Sequence, residues 1–180
     1  MIITGLGSGA TAAGLNAYRQ RNGLDYRIIG VDAENSAYLP GWLYDVAGYG
    51  TGMPTRIEGL GRPVIPESFD PDSVDLIVQA PDAASITGAR ELRTLLNKPI
   101  GASSGANLWA AIRHARRATE PEHIATFSAD AHSHYLDTCH SDAGAPRRHS
   151  TPMNSPTISR RKARPVVPPK KYRVDWGPGR

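Results

Sequence analysis

The sequence predicts an α/β domain in which helices flank a mainly parallel sheet. Short runs of β-branched residues alternate with longer segments of helical spacing, and a glycine-rich turn joins the first run to the first helical segment. The order of strand, helix, strand, loop, strand and two helices is typical of a layered α/β fold. At 180 residues, the chain has the length of one ordinary domain with a buried core.

A change in charge divides the chain into two parts. Residues 1–142 contain 11 Lys/Arg and 16 Asp/Glu, a net charge of −5, whereas residues 143–180 contain 10 Lys/Arg and one acid, a net charge of +9. We therefore predict a folded domain over 1–142 and a disordered, basic, Pro/Arg-rich tail over 143–180. Two aromatic residues, Tyr172 and Trp176, are too few for a stacking platform, so we expect the tail to be solvated and not to bind nucleic acid.

The first elements follow from local patterns. Residues 1–4 predict a buried strand, and residues 11–21 a helix that ends at the Asn-Gly pair 22–23. Residues 26–31 predict a second strand. Residues 35–63 hold many Gly, Pro and Tyr residues and no helical period, so we expect a long functional loop there.

The remaining elements continue the alternation. Residues 74–79 predict a third strand, and a helix is expected to open at Asp82, whose carboxylate can cap it. A second helix is predicted from Gly105 to about Arg117, and a last strand over residues 123–127. The helical positions expected to face the core are Ile86, Ala89, Leu92, Leu95 and Leu96, then Leu108, Ala111, Ile112 and Ala115.

Composition excludes some classes of protein. The apolar runs are too short for a membrane span, and the first residues lack the pattern of a signal peptide, so we expect a cytoplasmic protein. A single cysteine, Cys139, allows no internal disulfide. Together with His132, His134 and His140 it matches no zinc-ligand spacing, so no metal site is predicted.

The strand, glycine-rich turn and helix at the start of the chain have the features of an anion site. Glycines let the backbone approach a phosphate, and the free N–H groups and positive end of the helix attract it. Gly5, Gly7 and Ala10 fit the dinucleotide-binding fingerprint, and Asp32 lies 22 residues after Ala10, where a ribose ligand is expected. A phosphate cup for another cofactor and a packing turn without a ligand are equally open at this point.

Three segments resemble the signature turns of one enzyme family. Residues 7–11 (Gly-Ser-Gly-Ala-Thr) resemble a Gly-Thr-Gly-Gly-Thr phosphate cup, and residues 56–61 (Arg-Ile-Glu-Gly-Leu-Gly) resemble an Ile-x-Gly-Ile-Gly substrate loop. Residues 101–107 (Gly-Ala-Ser-Ser-Gly-Ala-Asn) resemble a Gly-x-Ser-Ser-Gly-Ala turn under the cofactor ring. Over roughly residues 1–142, the chain thus resembles the C-terminal half of the cysteine synthases. These are pyridoxal-phosphate enzymes of the tryptophan-synthase-β-like fold (fold type II).

The resemblance implies a partial site for pyridoxal 5′-phosphate. Ser103 would donate its hydroxyl to the pyridine nitrogen, and Gly59 and Gly61 would belong to the substrate loop. In this light Asp32 is expected to be a strand-end residue. Apart from the resemblance, a serine of the pair Ser103-Ser104 would cap the helix predicted from Gly105, and both roles can hold at once. The implied phosphate-binding residues are Gly7, Ser8, Gly9, Ala10 and Thr11, where Ala10 replaces the family's usual glycine.

The family reaction is a β-replacement, in which O-acetylserine or O-phosphoserine exchanges its leaving group for sulfide to give cysteine. It needs a lysine for the Schiff base with the cofactor. Before residue 143 the chain has one lysine, Lys98, outside the family's Ser-x-Lys context. We therefore expect a truncated product that is inactive alone, or one that pairs with an N-terminal-half polypeptide or with itself. An NAD(P)-binding Rossmann-type oxidoreductase domain and a non-catalytic interaction protein are the alternatives.

Overall fold

A computed structural model describes residues 1–142 of the chain, and these form a four-stranded parallel sheet with helices on both faces. The predicted α/β class is therefore confirmed, whereas the predicted disordered tail lies outside the described residues. The strands are β1 (Ile2–Gly5), β2 (Ile28–Ala33), β3 (Leu76–Ala80) and β4 (Ala125–Thr126). Their order in the sheet is β3-β2-β1-β4, and every neighbouring pair is parallel.

Four α-helices connect the strands. They are α1 (Ala10–Arg21), α2 (Tyr38–Tyr44), α3 (Asp82–Leu96) and α4 (Ala102–Ala115), with short 3-10 turns at Pro71–Ser73 and Ser133–Leu136. Among residues 1–142, none of these helices has the length and apolar character needed to cross a membrane.

Strand β2 lies inside the sheet and is buried along its whole length, so its alternate side chains serve two cores. On one face Ile29 and Val31 pack with Ala106 and Ala110 of α4. On the other face Ile28 packs in a cluster with side chains of α1 and α2. The sheet is thus the middle of three layers, with α1 and α2 on one side and α3 and α4 on the other.

Helix α2 corrects the prediction that residues 35–63 form only a loop. Pro40 lies in the first turn of α2, where backbone N–H groups make no hydrogen bond within the helix. The N–H that proline lacks therefore costs the helix nothing. The helix is only seven residues long, and its stability comes from burial of Tyr38, Leu39 and Trp42 in the core. Local sequence contains no signal of that burial, because it depends on residues far along the chain.

The start of α4 also differs from its prediction. The helix begins at Ala102, three residues before Gly105, and its buried face includes Gly105, Ala106 and Ala110. Ile112, predicted to face the core, is exposed. The contact with α3 determines which face of α4 is buried. In α3, Leu95 and Leu96 were also predicted to face the core, but both are exposed.

Two glycines allow α3 and α4 to pack backbone against backbone. A Cβ atom on Gly105 would lie 2.0 Å from the Ser85 carbonyl oxygen, and one on Gly88 would lie 2.3 Å from the Gly105 carbonyl oxygen. No side chain fits at either position, so the crossing point is fixed. Ser103 lies two residues before that crossing, and its position is fixed with it.

Candidate cofactor site

A cleft of about 450 Å³ lies at the carboxyl end of β1, between the starts of α1 and α4. One wall is the glycine turn before α1, and a second is the loop that carries Gly59 and Leu60. The third wall is formed by Ser103 and Asn107 of α4 together with residues 127–129 after β4. Two helix N-termini therefore open into one cleft at an edge of a parallel sheet, the usual position of ligands in such folds.

The cleft brings together most residues singled out in the sequence. Those that line it are Gly7, Ser8, Gly9, Thr11, Gly59 and Ser103. Ala10 does not, because it is the first residue of α1 and its side chain is exposed. Gly61 lies behind the wall, where its N–H donates to the Leu6 carbonyl and its φ of +72° requires glycine. Their binding of a cofactor stays a prediction.

The glycine turn leaves no room for side chains. A Cβ atom on Gly7 would lie 2.5 Å from the Gly59 carbonyl oxygen, so the two loops meet through their backbones. Gly9 has a φ of +86° and lies against the ring of Phe69. A side chain at Gly7 would clash with the Gly59 backbone, and the positive φ of Gly9 favours glycine. This wall of the cleft is therefore formed largely by backbone atoms.

The carbonyls of the glycine turn accept hydrogen bonds, whereas three of its N–H groups have no acceptor among residues 1–142; the N–H of Ala10 donates to the Ser8 hydroxyl at 3.3 Å. The Tyr38 hydroxyl donates to the Gly7 carbonyl at 2.8 Å, and the Ser68 hydroxyl donates to that of Ser8 at 3.4 Å. Burial raises the pKa of Tyr38 to about 12, so it remains a donor. The N–H groups of Ser8, Gly9 and Thr11 donate to no acceptor within residues 1–142. With the positive end of α1 behind them, they form a nest for an anion.

Ser103 is the second residue of α4, and its hydroxyl makes no hydrogen bond within the described part of the chain. The prediction of a serine cap is wrong, because Gly101 precedes the helix and no side chain caps it. The Ser104 hydroxyl instead accepts the N–H of Ala129 at 3.0 Å. The neighbouring serine is thus used for structure, while Ser103 is left to face the cleft.

Residues 128–142 wrap around the turn that precedes α4. Ala131 pairs with Ile100, and the Tyr135 ring lies so close to Gly101 that a Cβ there would be 2.9 Å from it. The Tyr135 hydroxyl donates to Asp130, and burial is the main cause that raises its pKa. This strap holds the serine turn from outside, a role that the sequence did not indicate.

Asp32 supports the fold and cannot reach a ligand. Its buried carboxylate accepts the N–H groups of Leu39 and Ala33, both at 2.9 Å, and so holds the start of α2 against β2. Burial raises its pKa to about 6, partly offset by these hydrogen bonds. The geometry agrees with a strand-end role and gives no support to a ribose-binding acid.

Lysine does not line the cleft formed by residues 1–142. Lys98, the one lysine before residue 143, is exposed in the turn between α3 and α4. Cys139 is buried, and its thiol donates a weak hydrogen bond to the Ile100 carbonyl. Residues 1–142 contain no group of three or more His, Cys, Asp or Glu residues that could hold a metal ion.

The fold and the cleft define an α/β domain in which two helix N-termini open into one cleft. The chain belongs to the family of pyridoxal-phosphate dependent enzymes, whose model matches residues 1–130. The resemblance inferred from the three turns is thereby confirmed, as is pyridoxal phosphate as the family's cofactor.

Individual relatives place the chain near enzymes of cysteine metabolism. It is 39% identical over 150 residues to an L-cysteine desulfhydrase of Mycobacterium tuberculosis, covering 78% of this chain and 39% of that protein. It is 31% identical over 134 residues to a cysteine synthase of Helicobacter pylori, covering 74% of this chain and 41% of that protein. The crystal structure of an O-ureido-L-serine synthase shares the fold, with a TM-score of 0.65 and 23% sequence identity. The match covers 76% of this chain and 41% of that one. The chain thus spans about two fifths of the length of these relatives.

Proposed function

We propose that residues 1–142 form the phosphate- and ring-binding part of a pyridoxal-phosphate site for chemistry at the β-carbon of an amino acid. The catalytic lysine would come from polypeptide outside these 180 residues, so the chain alone would not turn over. One observation carries the proposal: the glycine turn and the serine turn open into a single cleft that no lysine of residues 1–142 lines.

The glycine turn would hold the phosphate. The N–H groups of Ser8, Gly9 and Thr11 have no other acceptor among the described residues, and two hydroxyls, of Ser8 and Thr11, stand beside them. The positive end of α1 adds a favourable field for a dianion. Because the carbonyls of the turn are held by Tyr38 and Ser68, none needs to point at the phosphate.

Ser103 would hold the other end of the cofactor. Its hydroxyl can donate to the pyridine nitrogen, and the positive end of α4 opposes protonation of that nitrogen. The bound cofactor would supply an electron sink for the substrate α-carbon. A neutral hydroxyl partner tempers that sink, which favours loss or exchange of a β-substituent over transamination.

The names of the relatives suggest the class of substrate. A cysteine synthase and an L-cysteine desulfhydrase are both named for reactions of cysteine, and either would make or break a bond to sulfur at the β-carbon. We propose an amino acid with a β leaving group: O-acetylserine or O-phosphoserine for replacement by sulfide, or cysteine for elimination of sulfide. Gly59 and Leu60 would form the wall beside this substrate.

Equilibrium dialysis followed by borohydride treatment tests the proposal. The full chain alone should bind pyridoxal 5′-phosphate reversibly and in preference to pyridoxal, and borohydride should fix none of it. Addition of the lysine-bearing N-terminal region of the M. tuberculosis relative should make the label permanent on that added polypeptide. Stoichiometric labelling of Lys98 or of a lysine in residues 143–180 of the chain alone, or equal binding of pyridoxal and its phosphate, would contradict the proposal.

A further inference from the structure

The loop of residues 56–61 is held on its outer side by a pair of histidines. Glu58 Oε2 lies 3.2 Å from Nε2 of His134, and Nδ1 of His134 lies 2.8 Å from Nδ1 of His132. His132 and His134 belong to the strap that wraps the serine turn. The cluster therefore joins the Gly59 wall of the cleft to the structure that supports the Ser103 wall.

One arrangement of protons makes all three contacts of this cluster hydrogen bonds. His132 Nδ1 accepts the backbone N–H of His134 at 3.2 Å, so it carries no proton itself. The 2.8 Å contact between the two Nδ1 atoms then needs a proton on His134 Nδ1. The contact of His134 Nε2 with the Glu58 carboxylate needs a proton as well. In this arrangement His134 is doubly protonated and positively charged, and all three contacts are hydrogen bonds.

We propose that Glu58 and His134 are positioning residues that form a proton-dependent latch between the 56–61 loop and the strap. When His134 is charged, the latch ties loop 56–61 to the strap and holds Gly59 against Gly7. When His134 loses a proton, a bare nitrogen faces either the carboxylate or His132, and one contact is lost. The effect on cofactor binding rests on the proposed function, whereas the latch itself does not.

Other charged and titratable groups surround the latch. The Tyr135 ring lies against that of His134, tilted by 44° with centroids 4.0 Å apart, and the Tyr135 hydroxyl donates to Asp130. At the other end of the loop, Arg56 lies 4.0 Å from Asp82. Glu58 and His134 are both solvent-accessible, so the latch is weak and its effect should be a few-fold.

Limited trypsin digestion of the full chain without cofactor tests the latch. Trypsin can cut the loop after half-exposed Arg56 but not after Arg62, which precedes a proline. At pH 6, cleavage after Arg56 should be about two- to fivefold slower in the wild type than in Glu58→Gln. At pH 8 the two rates should converge. Glu120→Gln, which alters an exposed acid away from the loop, should match the wild type at both values of pH.

A conservative variant and a direct proton count separate a latch from general support of the fold. His134→Gln keeps an N–H donor that does not titrate, so its cleavage rate relative to Glu58→Gln should not change with pH. Imidazole ¹⁵N–¹H NMR at pH 6 should show protons on both ring nitrogens of His134 and on one of His132. A single proton on His134 at pH 6, or the same ratio of wild type to Glu58→Gln at both values of pH, would overturn the proposal. Neither readout depends on whether pyridoxal phosphate binds.

Discussion

Gly7 shows how one missing side chain shapes the cleft. Its α-carbon faces the Gly59 carbonyl so closely that a Cβ would lie 2.5 Å away, and the obstacle is backbone. Gly14 in α1 offers a matched control, because a Cβ there would meet nothing within 4 Å. Gly7 lies in the turn before α1 and Gly14 lies inside α1, seven residues later.

Gly7→Ala should separate the loops and lower the free energy of unfolding by about 1–3 kcal/mol. It should also weaken binding of pyridoxal 5′-phosphate, because the nest of N–H groups moves. Gly14→Ala should be neutral or stabilising by up to about 1 kcal/mol, since alanine is the better helix former. Urea denaturation and dialysis measure both effects, and equal losses in the two variants would argue against the backbone contact.

Asp82 is a buried acid with an unusual environment. It is the first residue of α3 and not its cap, and neither carboxylate oxygen accepts a hydrogen bond within residues 1–142. Burial and the nearby negative charge of Glu34 raise its pKa to about 6, against the opposing effect of Arg56. In the unfolded chain the same carboxyl has an ordinary pKa near 3.8, so the folded state binds the extra proton between these values.

The contribution of Asp82 to stability should therefore fall as pH rises from about 4 to about 6 and stay low above that. Asp82→Asn removes the charge and should be more stable than the wild type by roughly 1 kcal/mol at pH 7.5, with the advantage gone near pH 4. Asp32 titrates in the same direction in both proteins, so their difference isolates Asp82. Urea denaturation at the two values of pH measures it, and a constant difference would contradict the assignment.

At this scale, sequence patterns found the residues whose roles are local. Gly7, Gly9 and Ser103 were identified because turn motifs place them, and the structure brings them into one cleft. Tyr38, Phe69 and His134 act across 31, 60 and 76 positions of sequence, on Gly7, Gly9 and Glu58 respectively. No local pattern carries such contacts, so the sequence did not indicate them.

Among the elements, the crossing of α3 and α4 decides where the serine turn lies. Gly105→Ala would place a Cβ 2.0 Å from the Ser85 carbonyl oxygen and 2.3 Å from the Ala89 nitrogen. The helices would have to move apart, and we expect a loss of about 2–3 kcal/mol in the free energy of unfolding. Ser103 would shift with its helix, so binding of pyridoxal 5′-phosphate should also weaken. Full retention of both stability and binding would show that the crossing does not position the site.

The strands were predictable because β-branched runs and parallel α/β alternation reinforce each other. Their observed bounds are displaced by up to two residues from the predicted ones, as for β2 at Ile28–Ala33. Helix α2 and the first turn of α4 were not predictable, because each depends on contacts with distant parts of the chain. In α4 the close backbone contact at Gly105 turns the face with Gly105, Ala106 and Ala110 toward the core. The larger apolar side chain of Ile112 is therefore left exposed.

For the whole molecule, the central claim is that two turns about 100 positions apart hold opposite ends of one cofactor. The side chains of Leu95, Leu96 and Ile112 are exposed, and we expect a partner or a second copy to cover exposed apolar side chains of this kind. That association stays a prediction, as does the role of residues 143–180, which lie outside the described part of the chain.

Backbone amide NMR of the full chain tests the central claim most directly. Inorganic phosphate should shift the amides of residues 7–11 and leave that of Ser103 unchanged. Pyridoxal 5′-phosphate should shift both sets at the same concentration, because one molecule spans the cleft. Shifts at only one of the two turns on addition of pyridoxal 5′-phosphate, or titration of the two turns with different affinities, would contradict a shared site.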